Sequence, residues 1–232
     1  MPTVLLIRHG LTAMTGPVLA GWTAGVQLDE RGRAQAEALG RRLAPVPLAA
    51  VVTSPLERCR ETAAALLAVR DGTPLHVDER VGECRYGDWT GRELTALKRD
   101  PLWKVVQAHP SAVTFPGPDG ESLRATQARA VEAVRDWNAR LGEEATYAVV
   151  THADVIKAVV TDALGLHLDQ FQRLVVDPCS LTVISYTPLR PFLLRLNDTG
   201  GDVSGLVPRR RRRRRTAAAS DAMVGGGAGA AG

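Results

Sequence analysis

The sequence of 232 residues has little cysteine and no long apolar run. Its three cysteines, Cys59, Cys84 and Cys179, are odd in number and form no C-x-x-C pair. This pattern indicates neither a disulfide framework nor a zinc site, and it favours a reducing compartment such as the cytoplasm. No apolar stretch is long enough to cross a bilayer, and no basic leader precedes the first apolar run. We therefore expect a cytoplasmic protein with no membrane partner.

Lysine is also scarce, and the arginines are unevenly placed. Only 3 of the 29 basic residues are lysine, and Arg209 to Arg215 are seven consecutive arginines in a chain of net charge +4. With Asp221 included, residues 1–208 carry a net charge of −2. A mildly acidic body argues against nucleic acid as a partner, apart from weak contact through the arginine run. We expect one domain over 1–205 and a disordered tail over 206–232, rich first in arginine and then in alanine and glycine.

Short apolar runs alternate with amphipathic segments along the first 200 residues. The segments 29–43 and 121–141 space their apolar residues as helices do, and in the first of them the acidic residues precede the arginines, as the helix dipole favours. Five runs predict strands, the last of them weakly: 4–7, 49–52, 148–150, 181–186 and 192–196. This alternation predicts an α/β fold, a three-layer α/β/α sandwich around a mostly parallel central sheet.

Residues 84–120 do not follow this alternation. They are rich in proline, glycine and tryptophan, and we expect an insertion that forms a lid over the carboxyl edge of the sheet. Trp89, Trp103 and His109 either stack on a ring of the substrate or form the small core of this lid. The sequence leaves both alternatives open.

Two of the predicted strands end in a histidine. VLLIRHG, residues 4–10, runs from four apolar residues into Arg8 and His9, and YAVVTHADVIK, residues 147–157, runs into His152. If the strands are parallel, both histidines leave the same edge of the sheet, where α/β proteins bind ligands. Nothing near either histidine supplies further ligands at metal-binding spacing, so we expect no metal site.

The stretch TSPLERCRETA, residues 53–63, predicts a helix start at the same edge. Ser54 and Glu57 have the spacing of a capping box, with a proline at the first helical position. This spacing places Arg58 in the first turn, where a bound anion would offset the unfavourable helix dipole. On charge alone Arg60 is a competing candidate. Two histidines, two arginines and a helix N-terminus at one edge predict a pocket for a phosphoryl group.

Together, RHG after the first strand, SPLERCRETA and the later VTHA resemble the histidine phosphatase superfamily, in its phosphoglycerate mutase-like branch. The similarity runs in order from Thr3 to about Leu196, and the whole chain is similar to an actinobacterial subgroup of probable phosphomutases. The resemblance implies an enzyme that acts on a small phosphate ester through a phosphohistidine, with no cofactor and no metal.

The resemblance also implies a role for each matching residue. His9 is the implied nucleophile, Glu83 the proton donor and His152 a donor to the phosphoryl oxygens. The implied phosphate-binding residues are Arg8, Arg58, Thr15 and Ala153, and the substrate-binding candidates that follow Glu83 are Arg85 and Tyr86.

Three places depart from the pattern of the family. Leu11 stands where an acidic residue is frequent, Thr15 where an asparagine often reaches the phosphate, and Ala153-Asp154 where Gly-Gly is common. The backbone N–H of Ala153 can still donate to a phosphate. Asp154 brings a negative charge near that phosphate unless it turns away to cap the helix that follows, for which it is a candidate N-cap.

Hydrolysis is expected rather than mutase activity, because a mutase must hold a second anionic group. Residues 84–120 offer Arg85, Lys98, Arg99 and Lys104, without the paired arginines that glycolytic mutases place there. A phosphomutase is the first alternative, and a catalytically weak protein that binds phospho-ligands or RNA is the second. The substrate and the oligomeric state stay open.

Overall fold

A computed structural model describes residues 1–200 and contains one six-stranded sheet with the strand order β3-β2-β4-β1-β5-β6. Strands β1 to β4 are parallel, and β5 and β6 form an antiparallel hairpin at one end. The strands are β1 Thr3–Arg8, β2 Val51–Thr53, β3 Leu75–Val77, β4 Thr146–Thr151, β5 Leu181–Tyr186 and β6 Pro191–Asp198. The helices are α1 Glu30–Leu43, α2 Glu57–Leu67, α3 Leu94–Leu97, α4 Pro101–Ala108, α5 Leu123–Leu141 and α6 Ala153–Ala163.

Helices cover both faces of the sheet. Successive residues of a strand point to opposite faces, so Ile7 of β1 packs in an apolar cluster with Leu66 of α2, on the face that α1 and α2 cover. Leu6 packs on the other face with Val134 of α5 and Ile156 of α6. The predicted α/β fold with a mostly parallel central sheet is therefore confirmed.

Local sequence fixes the starts of the two longest helices. The carboxylate of Asp29 accepts a hydrogen bond from the N–H of Gly32 at 2.7 Å and caps α1. The hydroxyl of Ser122 accepts from the N–H of Ala125 at 3.1 Å and caps α5, which begins two residues later than the predicted segment. Both are N-cap residue types with the usual bonding pattern.

The short strand β3 was not predicted from the sequence. Leu75 and Val77 in it are exposed, so the strand has no buried apolar run to mark it. It lies at the edge of the sheet, paired only with β2 among residues 1–200.

Residues 84–120 fold into α3, α4 and two short 3₁₀ turns around a third apolar cluster. Trp89 and Trp103 are at most 4% exposed and stack with ring centroids 6.2 Å apart, beside Phe115. The two tryptophans therefore form the core of this segment, which is the second of the two alternatives that the sequence left open. That the segment acts as a lid stays a prediction.

Within residues 1–200, no helix is long and apolar enough to cross a membrane. The predicted disordered tail over 206–232 lies outside the described residues, as does the boundary at 205.

Candidate active site

The parallel pairing of β1 and β4 brings the two predicted histidines together. Arg8 is in register with Thr151, so His9 and His152 follow at the carboxyl ends of adjacent strands. Their ring centroids lie 5.2 Å apart, with the ring planes inclined at 62°. Both side chains are buried. The sequence-based expectation that they meet at one sheet edge is confirmed.

A single hydrogen bond fixes the tautomer of His9. Its Nδ1 lies 2.7 Å from the carbonyl oxygen of Gly10. A carbonyl only accepts, so Nδ1 carries the proton and Nε2 keeps a lone pair. The N–H of Gly10 in turn donates to the hydroxyl of Thr62 at 3.1 Å, which fixes this turn to α2. Burial and then the charges of Arg58 and Arg8 hold the pKa of His9 well below its ordinary value, so the imidazole stays neutral.

Arg8 and Arg58 are buried cations, each held by a backbone carbonyl. Nη1 of Arg8 donates to the carbonyl of Val176 at 2.8 Å, and Nη2 of Arg58 donates to that of Gly21 at 2.7 Å. Gly21 has a φ of +51°, a conformation that favours glycine. Nε and Nη1 of Arg58 are buried with no hydrogen-bond partner among residues 1–200. Buried donors of this kind are suited to an oxyanion.

The predicted capping box at the start of α2 is wrong. The helix begins at Glu57 with Leu56 as its N-cap, and no side chain caps it. The hydroxyl of Ser54 lies instead 2.9 Å from Nε2 of His152, a partner that the local sequence does not show. Arg58 lies in the first turn of α2, as expected.

Glu83 lies in the loop between β3 and residues 84–120, with its side chain buried beside the histidines. Its Oε1 accepts from the N–H of Cys84 at 3.0 Å, and its Oε2 lies 3.7 Å from Nδ1 of His152. Its backbone carbonyl accepts from Nε1 of Trp22 at 2.7 Å and from Nη2 of Arg129 at 2.9 Å, which fixes the loop.

Burial, and then the charge of Asp154, raises the pKa of Glu83 to about 7. Arg58, the N–H of Cys84 and Arg8 act in the opposite direction without outweighing them. A carboxyl group with this pKa can hold a proton at neutral pH and release it during a reaction.

The prediction that Asp154 caps α6 is also wrong. The N-cap is His152, and Asp154 is the second helical residue. Its carboxylate accepts a hydrogen bond from the hydroxyl of Tyr86 at 2.7 Å and lies 3.7 Å from Nζ of Lys157. The Asp154 carboxylate therefore does not cap its own helix, because the hydroxyl of Tyr86 and the ammonium group of Lys157 interact with it instead.

The remaining predicted residues are Thr15, Ala153, Tyr86 and Arg85, and one of the four lines the cleft at the site, which has a volume of about 380 Å³. Thr15 lines the cleft, and its hydroxyl is bonded to the backbone N–H and the hydroxyl of Thr12. Ala153 is buried as the first residue of α6. Tyr86 is also buried, and the guanidinium of Arg85 stacks on the ring of Trp22 at 4.1 Å from its centroid. In the described chain the cleft lining is Arg8, His9, Thr12, Met14, Thr15, Gly16, Val18, Leu19, Ala20, Gly21, Arg58, Glu83 and Leu94.

A neutral imidazole between two anchored guanidinium groups, next to a protonatable carboxyl, is equipped for phosphoryl transfer. Residues 4–199 match the family described as the histidine phosphatase superfamily, branch 1. The chain belongs to this superfamily. The family predicted from RHG, SPLERCRETA and VTHA is thus confirmed, whereas the narrower actinobacterial subgroup stays a prediction.

Relatives of this histidine phosphatase include both hydrolases and mutases. It is 29% identical over 209 residues to phosphoserine phosphatase 1 of Hydrogenobacter thermophilus, covering 86% of this chain and 93% of that one. It is 28% identical over 186 residues to 2,3-bisphosphoglycerate-dependent phosphoglycerate mutase 2 of Gloeobacter violaceus, covering 77% and 83%.

The solved structure of YhfR from Bacillus stearothermophilus is similar to this fold with a TM-score of 0.76 and 30% identity, covering 85% of this chain and 98% of that one. The predicted enzyme class, phosphatase or mutase, is confirmed at the level of the superfamily.

Proposed function

We propose that this histidine phosphatase is a phosphomonoester hydrolase that transfers the phosphoryl group of a small ester to Nε2 of His9 and then to water. The observation that carries the proposal is the bond between Nδ1 of His9 and the carbonyl of Gly10, which leaves Nε2 with its lone pair. A neutral imidazole with a fixed tautomer is the nucleophile that this chemistry needs.

In the first step the lone pair of Nε2 attacks phosphorus, and the bond between phosphorus and the ester oxygen breaks. The leaving oxygen takes the proton of Glu83. The free Nε–H and Nη1–H groups of Arg58 bind the phosphoryl oxygens, with Arg8 and His152 beside them. An oriented donor at such a site contributes about 3 kcal/mol to the stabilisation of the transition state.

In the second step the Glu83 carboxylate takes a proton from water, and the resulting oxygen nucleophile attacks the phosphohistidine. The bond between phosphorus and Nε2 breaks, and inorganic phosphate leaves. His9 returns to the neutral form and Glu83 to the protonated form, so the cycle closes without a further reactant.

The cleft lining favours hydrolysis over mutase activity. Among residues 1–200 its only cations are Arg8 and Arg58, both beside the histidines. The basic residues of the segment 84–120, among them Lys98 and Lys104, are exposed and do not line it. A mutase must hold a second anionic group of its substrate, and this lining supplies no cation for that group.

The test is to trap the phosphoenzyme during turnover of p-nitrophenyl phosphate. We expect acid-labile, alkali-stable phosphate on His9 in the wild type and none in His9→Ala, which should also lose at least about 1,000-fold in kcat. His109→Ala is the matched control, because that side chain is 70% exposed and does not line the cleft of residues 1–200, which leaves it without the predicted contact to the substrate. Normal turnover by His9→Ala would contradict the proposal. A phosphoenzyme that resists water for many turnover times and returns its phosphate to an alcohol would favour the mutase alternative.

The binding-protein alternative is tested by truncation after Pro208. We expect the shortened protein to keep its activity on small phosphate esters and to lose only its binding to polyanions. Loss of the activity would make the arginine-rich tail part of the functional unit.

The free and buried thiols of Cys59, Cys84 and Cys179 support the proposed location in the reducing cytoplasm.

A further inference from the structure

Three buried polar side chains form a connected group outside the cleft lining. The hydroxyl of Tyr86 donates to Oδ2 of Asp154 at 2.7 Å, and Nζ of Lys157 lies 3.7 Å from Oδ1. Each of the three is at most 2% exposed. Nζ of Lys157 also lies 5.0 Å from the ring centroid of Phe171. Burying these charges costs free energy, which a role at the neighbouring site would explain.

The position of this group relates it to the proton donor. Tyr86 follows Glu83 by three residues in the same loop, and Asp154 belongs to the first turn of α6. The bond between Tyr86 and Asp154 thus ties the loop of the proton donor to the helix that begins after His152. None of the three side chains lines the cleft of residues 1–200, so a role in the reaction would have to run through a residue that does.

We propose that Asp154 is a positioning residue for Glu83, holding its loop against α6 through Tyr86 and favouring the protonated carboxyl through its own negative charge. This inference rests on the proposed function, in which Glu83 must carry a proton when the ester bond breaks. A buried carboxylate next to a proton donor is a physical means of keeping that donor protonated.

Other charged and titratable groups also face Glu83. Burial and Asp154 raise its pKa, and Arg58 and Arg8 lower it. The imidazole of His152 is neutral because burial and Arg58 hold its pKa well below the ordinary value. Burial likewise raises the pKa of the Tyr86 phenol, which stays neutral. The remaining cations nearby are Lys157 and Arg129. Removal of the negative charge of Asp154 would therefore leave mainly positive charges around Glu83.

The experiment compares Asp154→Asn and Asp154→Gly with the wild type across pH 5 to 9. Asparagine keeps the size of the side chain, whereas glycine removes it, so the two variants should differ in stability. Thermal unfolding checks that each of them is folded. The substrate is glycerol 3-phosphate, whose alkoxide needs a proton in order to leave. In both variants we expect the fall of kcat/KM on the alkaline side of the pH profile to begin about one pH unit lower than in the wild type. The loss of kcat/KM relative to the wild type should therefore be about tenfold larger at pH 8 than at pH 5.5.

A comparison with p-nitrophenyl phosphate isolates the proton donor. Its leaving group needs little protonation, so the loss in the variants should vary with pH much less than for glycerol 3-phosphate. A loss of kcat/KM that is equal at every pH for both esters would mean that Asp154 only supports the fold, and it would overturn the inference. An alkaline side of the pH profile that stays where it is in the wild type would also overturn it. Failure of the proposed function appears separately, as a wild type without phosphate on His9.

Discussion

The hydroxyl of Ser54 lies 2.9 Å from Nε2 of His152, although 98 residues separate them in the chain. Nδ1 of the same ring lies 3.4 Å from Nη2 of Arg58 and 3.7 Å from Oε2 of Glu83. Arginine only donates, so Nδ1 of His152 accepts from Nη2 of Arg58, and Nε2 carries the proton that it donates to the hydroxyl of Ser54. Ser54 and Arg58 thus fix the tautomer and the orientation of the His152 ring beside the ring of His9.

Replacement of Ser54 by alanine is expected to lower kcat/KM about tenfold, the effect of losing one orienting hydrogen bond. Steady-state kinetics on p-nitrophenyl phosphate measures the loss, and thermal unfolding checks that the variant is folded. Thr95→Ala is the control, because it removes an exposed hydroxyl that bonds only Glu93 among the described residues. Equal activity in Ser54→Ala and the wild type would show that the tautomer is fixed without Ser54.

The raised pKa of Glu83 makes stability depend on pH. The folded protein keeps the Glu83 proton up to about pH 7, whereas the unfolded chain releases it above about pH 4.5. The free energy of unfolding therefore falls as pH rises through this window. We expect Glu83→Gln to be more stable than the wild type at pH 8, by roughly 1–3 kcal/mol in urea unfolding, and to gain nothing at pH 4.

The exposed Glu79 provides the control for that experiment. Glu79→Gln should change the free energy of unfolding by less than about 0.5 kcal/mol at either pH. A stability difference between Glu83→Gln and the wild type that is the same at pH 4 and pH 8 would rule out a proton on Glu83 as its cause.

The cleft predicts a preference for esters of uncharged alcohols, because its only cations among residues 1–200 are the two phosphate-binding arginines. Glycerol 3-phosphate and 3-phosphoglycerate differ mainly in a carboxylate, for which Met14, Val18, Leu19 and Leu94 offer no partner. We expect kcat/KM to be about tenfold or more higher for glycerol 3-phosphate, because desolvation of the carboxylate would go uncompensated.

A cation placed in this cleft should change that ratio. In Met14→Lys the preference should fall or reverse, since the ammonium can pair with the carboxylate. Met14→Leu is the size control and should keep the preference of the wild type. A wild type that prefers 3-phosphoglycerate would mean that a cation from elsewhere reaches the substrate.

Trp103 is predicted to act through folding alone. It stacks on Trp89 in the core of residues 84–120 and is 4% exposed. Trp103→Ala should cost about 3–5 kcal/mol of unfolding free energy, and activity should fall by a similar factor for every ester in a panel. Phe192→Ala is the control, because that ring is 49% exposed. A changed order of preference among the esters would show that Trp103 reaches the substrate.

The sequence predicted the parts of the site that depend on local pattern. An apolar run ending in a histidine is visible in the sequence, and parallel pairing then brings His9 and His152 to the same edge. The start of α2 was predicted wrongly because Ser54 has the spacing of a cap but a distant competing partner in His152. The Tyr86–Asp154 bond was missed for the same reason, since its residues lie on different elements. The carbonyl of Val176 had no sequence signal at all, because every residue has a carbonyl.

The carbonyls that hold Arg8 and Arg58 make part of this site independent of side-chain identity. Exchange of the valine at 176 for another residue leaves the acceptor for Arg8 in place, provided that the backbone keeps its course. At Gly21 the restriction is on backbone conformation, which only a residue tolerant of positive φ satisfies. The orientation of both guanidinium groups thus depends on the path of the main chain. Divergent relatives can therefore keep the same anion site while few of the residues around it stay the same.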